Sequence, residues 1–290
     1  MSLDTRIIRV TLGMDSGDVV LDESLDLHVR IRKDALSIQN RCTIEVKNLT
    51  QTLRAQLLSQ FTAYNLRHIL TGETPQKNYA PVTVELGYAT SNGPKTFPAF
   101  SGQVVMATMT SAPPSIGMSI ECFANQELKL TFVTTPPTRA TFKQYCEWAG
   151  DQMGVSHVIC ETQYNDRVIF RPSGSTEMVS ALLVDIQTMF RPRVAAYIDN
   201  NVLVVKDLNK VVTKSSYVEV NEFIGVPIWT DYGVEFVSLV DPQILLDNVA
   251  TLTSKMNPGI NGKYVIGSLE YDCASRQAPF YVKAGAAPPA

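Results

Sequence analysis

The 290-residue chain has little of what most enzymes and metalloproteins are built on. Its three histidines, His28, His68 and His157, stand in three unrelated contexts. Its five cysteines, Cys42, Cys122, Cys146, Cys160 and Cys273, are scattered, odd in number and never in CxxC spacing. Such a set reads as small buried thiols of a reducing compartment and argues against a disulfide framework. Cys146, His157 and Cys160 would make a zinc site only if folding happened to gather them, because a strand aims His157 and Cys160 at opposite faces. GxSxG, HExxH and GxGxxG are all missing. Arg171-Pro-Ser-Gly-Ser-Thr176 faintly resembles a phosphate-holding loop but lacks its lysine, so it reads as a turn and N-cap. No carboxylate spacing singles out an acid–base pair. The two tryptophans, Trp148 and Trp229, are a thin basis for a sugar-stacking platform. No activity, cofactor or metal is expected.

Other absences bound the setting. No run of about 18 apolar residues occurs, so no membrane-crossing helix is expected. The stretch 1–9 has no signal-peptide core. Synthesis in the cytoplasm without stable membrane binding is the expectation. No segment is strongly basic: residues 1–130 carry 12 basic and 12 acidic side chains, 131–210 carry 8 and 8, and 211–290 carry 5 and 8. That balance weighs against sequence-specific nucleic-acid binding. Hydrophobic content of 45% and charged content of 18% fit an ordered globular protein.

What is present is alternation. Leu25, Leu27, Val29 and Ile31 fall on one face of a stretch whose other face holds Asp26, His28, Arg30 and Arg32, the pattern of a half-buried strand. After a polar connection, Lys33 to Arg41, the period of two resumes with Cys42, Ile44 and Val46 against Thr43, Glu45 and Lys47. The period then changes to helical through Leu53, Leu57, Leu58 and Phe61, with Thr50 as N-cap. Leu66, Ile69 and Leu70 follow in a long polar loop, and either extend that helix or form an intersubunit contact.

Thr5–Leu12, Val19–Leu21, Val82–Tyr88, Phe97–Thr110 and Ile116–Cys122 complete six or seven strands with one helix, and Gly102 is a candidate bulge. After Pro136-Pro137, Thr138 or Thr141 caps a helix carrying Phe142, Cys146, Ala149 and Met153, which Gly154 ends. Short strands, a second helix over 176–190 and a hairpin around Asp199-Asn200-Asn201 follow. The last third returns to strands. In Gly233–Val240 apolar residues fall on both faces, Val237 and Leu239 opposite Val234 and Phe236, which predicts burial on both sides, partly against another subunit. Lys263–Tyr271 alternates with a slip at Gly267, and Gln277–Lys283 is the closing strand.

Three of these runs resemble a known family. The run "CTIEVKNLTQTLRAQL" is similar to the strand and helix entry of baseplate hub proteins of contractile-tailed bacteriophages, whose fold recurs in the hub portion of type VI secretion spike proteins. "FIGVPIWTDYGVEFVSLVDPQI" and "NGKYVIGSLEYDCASRQAPFYV" resemble that family's closing barrel through Gly225, Pro227, Leu239, Asp241, Pro242, Asn261, Gly262 and Tyr264. "TFKQYCEWAGDQMGV" resembles its small helical insert.

The resemblance implies a mainly β fold: two small tube-protein-like β-barrel domains, 1–135 and 213–283, flanking a small α+β middle region, 136–212; the Gly-Ala-Ala-Pro-Pro-Ala run after them reads as a flexible tail, 284–290. It implies a structural subunit of the virion tail baseplate. Three copies would form a ring adapting a hexameric tail tube protein to a trimeric central spike protein, with a tape-measure protein, other baseplate proteins and DNA in transit as further partners. The alternatives are a hexameric tube or tube-initiator protein, or a cell-wall glycan-binding or hydrolase module. Asp26, His28, Arg30, Arg32, Glu45 and Lys47 are the candidate lumen or interface residues. Leu66, Ile69, Leu70, Val237 and Leu239 are the candidate subunit contacts.

Overall fold

The computed structural model describes residues 5–14, 17–36, 39–63, 79–91, 93–129, 131–133, 137–170, 178–276 and 279–290. The first β region holds β1 (Thr5–Met14), β2 (Gly17–Leu21), β3 (Asp26–Asp34), β4 (Arg41–Lys47), α1 (Gln51–Gln60), β5 (Pro81–Thr90), β6 (Gly93–Ser111) and β7 (Gly117–Phe123). Alternation governs each strand: in β3, Leu27, Val29 and Ile31 are fully buried, and in β4, Cys42, Ile44 and Val46 lie opposite them. Thr50 caps α1, accepting from the Leu53 N–H at 3.4 Å, and Leu57 and Phe61 are the buried anchors of the helix.

The middle region comprises β8 (Arg139–Thr141), α2 (Phe142–Met153), β9 (His157–Glu161), β10 (Val168–Phe170), α3 (Val179–Met189), β11 (Val194–Asp199) and β12 (Val202–Asp207). Thr141 and Gln144 form a capping box on α2, and Gly154 ends it at a left-handed φ of 65°. Asn200 and Asn201, both at positive φ, turn the β11–β12 hairpin. Alternate residues of this hairpin serve two cores. Val194, Ala196, Ile198, Leu203 and Val205 pack with α2 and α3, while Tyr197 and Val204 join the core of the large sheet. The hairpin thereby lies between the region's own helical core and the core of the large sheet.

The last third supplies β13 (Tyr217–Val220), β14 (Ile228–Thr230), β15 (Gly233–Leu239), β16 (Val249–Leu252), β17 (Gly262–Ala274) and β18 (Phe280–Ala287). Its strands continue the first region's sheet. One 13-stranded sheet runs β14-β15-β18-β17-β3-β4-β7-β6-β5-β1-β2, with β16 and β13 branching from β17. Among the described residues no pairing joins β2 to β14, and no closed barrel is shown. β17 is the seam. Its first residues pair with β16, its last with β3, and a bulge between Ile266 and Ser268 separates the two partners. The slip at Gly267 is the point where the strand changes neighbours.

Two expectations need correction. Gly102 is not a bulge: it pairs in register with Val82, and the irregularities of β6 lie on either side, between the Val84 and Glu85 pairs, between Val104 and Met106, and between Met109 and Ser111. The position needs glycine because a Cβ would lie 2.6 Å from the Phe123 carbonyl and 2.7 Å from the Phe100 ring. The second correction is the tail. Residues 284–287 belong to β18, paired with both β15 and β17; Ala284 is buried, and the Ala290 N–H donates to the Asn209 carbonyl at 3.1 Å. Small side chains signalled looseness in the sequence, but here they permit close strand approach. Gly285 sits where a Cβ would meet Ser268 Oγ at 2.5 Å.

Candidate functional site

The polar residues of the first hairpin belong to a surface much larger than the hairpin. Strand register carries their face across seven neighbouring strands, β15-β18-β17-β3-β4-β7-β6, at roughly 4.8 Å per strand, so it is about 29 Å wide. One row of adjacent residues reads Leu239, Tyr281, Asp272, Arg30, Thr43, Glu121, Met106. The next reads Val237, Lys283, Glu270, Arg32, Arg41, Phe123, Gln103. A third holds Ala274, His28, Glu45, Ser119 and Thr108. Eight of the residues singled out from sequence, Asp26, His28, Arg30, Arg32, Glu45, Lys47, Val237 and Leu239, therefore share one face. Leu66, Ile69 and Leu70 lie outside the described residues, as do His68 and the 171–176 loop.

Opposite charges interleave on this face. Lys47 Nζ donates to Asp26 Oδ2 at 2.8 Å, Arg30 to Glu45 Oε1 at 3.2 Å, and Lys283 Nζ lies 2.9 Å from Glu235 Oε2. At the centre, His28 Nε2 meets Asp272 Oδ1 at 2.5 Å, and the Tyr281 hydroxyl donates to Asp272 Oδ2 at 3.2 Å. Burial first, and then the Asp272 carboxylate, push the Tyr281 phenol above its ordinary range. The side chains in these pairs are a quarter to a half exposed, so each pair contributes about 0–1 kcal/mol to stability. Their effect is on the character of the surface: charge is dense and of mixed sign, although Arg32 and Arg41 stand directly opposite one another on β3 and β4.

A depression of about 420 Å³ lies at one end of the face, lined by Asp26, His28, Glu45, Lys47, Ser111 and Arg276 among others. Among the described residues no group of three His, Cys, Asp or Glu side chains is placed to hold a metal ion. Cys146 and Cys160 do come together, sharing a hydrogen bond, while His157 is exposed.

The apolar margin of the face is β15. Val234, Phe236, Ser238 and Val240 are buried, whereas Val237 is half-buried and Leu239 is 55% exposed. Within one chain the strand is thus buried on one face only. Sequence reading did not find Glu270, Asp272, Tyr281 and Lys283, which complete the surface. Their alternation is visible in β17 and β18, but nothing local pairs Asp272 with His28, 244 positions away.

A second polar constellation fixes the middle region behind this sheet. Lys33 ends the inner face of β3, only 3% exposed, and its Nζ bonds Asp199 Oδ1 at 2.7 Å at the tip of the β11–β12 hairpin. Asn40 Nδ2 donates to the Ile198 carbonyl at 3.4 Å, and Lys206 Nζ lies 2.5 Å from Asp247 Oδ1. The lysine read as the start of a polar connection is a buried contact between regions.

Comparison with known proteins follows this architecture. Solved structures with the same fold include the 43 kDa tail protein of prophage MuSo2 from Shewanella oneidensis, with a TM-score of 0.59 and 12% identity over 97% of each chain. The tail protein from Neisseria meningitidis MC58 aligns with a TM-score of 0.55 and 10% identity over 96% of each chain. The Escherichia coli c3393 protein, a component of the type VI secretion system, aligns with a TM-score of 0.54 and 9% identity over 91% of this chain and 74% of its own. No curated protein matches by sequence. Residues 7–286 match the model of the family described as baseplate hub gp41, and by that match over nearly its whole length the chain belongs to the baseplate hub gp41 family, structural components of the phage tail.

Proposed function

We propose that the protein is the hub subunit of a phage tail baseplate, three copies of which form a ring between a hexameric tail tube and a trimeric central spike. Each chain contributes two β regions, so three chains present six β regions to the tube and three equivalent positions to the spike. The observation that carries this reading is the continuous mixed-sign face, which crosses the seam between β17 and β3 and so belongs to both regions at once. Turned toward the axis, it would line a channel for a tape-measure protein or DNA. The role is one of interface complementarity and requires no turnover. It operates in the virion, after synthesis in the host cytoplasm.

The c3393 protein is a component of the type VI secretion system, whose spike proteins share the hub fold in the resemblance drawn from the sequence, and this favours a hub next to a spike over a tube subunit. The mass of the purified assembly, measured alone and with its tail neighbours, tests the proposal. Three copies per particle are expected; six copies would identify a tube or tube-initiator protein instead.

A further inference from the structure

Lys206 and Asp247 meet where the middle region rests on the large sheet. Lys206 occupies an inward position of β12, in phase with Val204, where the pattern calls for an apolar residue. Its side chain is 4% exposed and that of Asp247 is 1% exposed, with Nζ 2.5 Å from Oδ1. The hydroxyl of Tyr197, itself buried, donates to the other carboxylate oxygen, Oδ2. Asp247 is held in the left-handed region at φ 68°, its N–H donating to the Ile266 carbonyl at 3.0 Å. An amine, which also donates to the Lys210 carbonyl at 3.1 Å, a carboxyl group and a hydroxyl donor are thus fixed in contact with next to no side-chain exposure.

We propose that Lys206 and Asp247 condense to an intramolecular isopeptide bond, Nζ to Cγ, a covalent staple between the middle region and the sheet. This goes beyond the hub assignment and does not depend on it. The reaction needs a neutral amine and a neutral carboxyl group. Burial favours both: it raises the Asp247 carboxyl to about 7 and lowers the Lys206 amine to about 8, the latter helped by the nearby Lys214 charge. Transfer of one proton from Nζ to Oδ1 converts the ion pair into the neutral pair. The Nζ lone pair then attacks Cγ, and the carbonyl electrons move onto Oδ2, where the Tyr197 hydroxyl supports the developing oxyanion. Collapse re-forms the carbonyl and breaks the Cγ–Oδ1 bond. Oδ1 leaves with the proton it carries and a second one from nitrogen, so one water is released and no other reactant is required. Fixed contact supplies an effective concentration on the order of 10⁵–10⁸ M, and exclusion of water opposes hydrolysis. The neighbouring Lys33–Asp199 pair is an internal control, because Asp199 is 14% exposed and its carboxylate keeps contact with water.

Intact-mass measurement of the full chain in denaturant tests the proposal. The folded protein, after incubation at neutral pH, is expected to weigh one water less than its sequence. Its digest should contain a branched peptide joining the Lys206 and Asp247 segments. Chains purified unfolded should show the full mass and lose water only on refolding. Lys206→Met should keep the full mass, and Tyr197→Phe should slow the loss. A folded wild-type chain that retains its full mass with only linear peptides overturns the proposal. So does a water loss that persists in Lys206→Met or precedes folding.

Discussion

At the scale of single residues, the informative positions break the hydrophobic pattern. Lys33 ends the inner face of β3 and Lys206 lies on the inner face of β12, and each is buried against an aspartate from another part of the chain. Neither was legible beforehand, because period-two reading assigns a lysine to solvent and cannot see a partner 166 positions away. The cost of removing one partner exceeds the net contribution of the pair, since a charge is left stranded away from water. Asp199→Ala should therefore destabilise the chain by about 3–5 kcal/mol in denaturant unfolding. Lys33→Met added to Asp199→Ala should recover much of that loss, because the buried charge is gone. If the double variant is as unstable as the single one, Lys33 is not the stranded group.

At the scale of elements, most of the chain was legible. β3, β4, α1, α2 and the β11–β12 hairpin lie within a residue or two of where alternation, helical spacing, caps and Asn-Asn turns place them. These signals are local, and local physics sets them. Pairing was not legible. The change to helical spacing after Pro136-Pro137 divides the β regions in the sequence, but β17 pairs with β3 across more than 200 positions and merges them into one sheet. The closing Gly-Ala-Ala stretch misled for a related reason, since the reward for a small residue is a close neighbour, and the neighbours of β18 are β15 and β17. β15 carries a prediction at this scale. Val237 is half-buried in the single chain, and its row continues into Lys283. Val237→Asp should change the melting of the isolated chain by about 1 kcal/mol or less, as at other surface positions. If a second subunit covers this face, the same change strands a carboxylate in the contact, and assembly should fail while the chain stays folded. Size-exclusion with in-line mass determination separates the outcomes, and unaltered assembly would remove β15 from the interface.

At the scale of the whole molecule, the charged face is what a channel lining requires and what a binding groove does not. A polymer in transit is retained by apolar patches or by an excess of positive charge, because each neutralised phosphate releases counterions and adds to affinity. Here Arg30 is countered by Glu45 and Asp272, Lys47 by Asp26, and Lys283 by Glu235. Removing the negative partners should therefore make the face adhesive. Glu45 and Glu121 stand on neighbouring strands of the face, and neither is part of the core. Glu45→Lys with Glu121→Lys replaces two negative charges by two positive ones, at a fold cost of about 1 kcal/mol each for half-buried positions outside the core. If the face lines the channel, particles carrying the double change should assemble with wild-type mass but release DNA more slowly, and raised salt should restore the rate. If the face is on the outer rim, ejection kinetics stay at the wild-type value at every salt concentration. A wild-type rate in fully assembled particles would thus reject the lumen assignment while leaving the three-copy assembly intact.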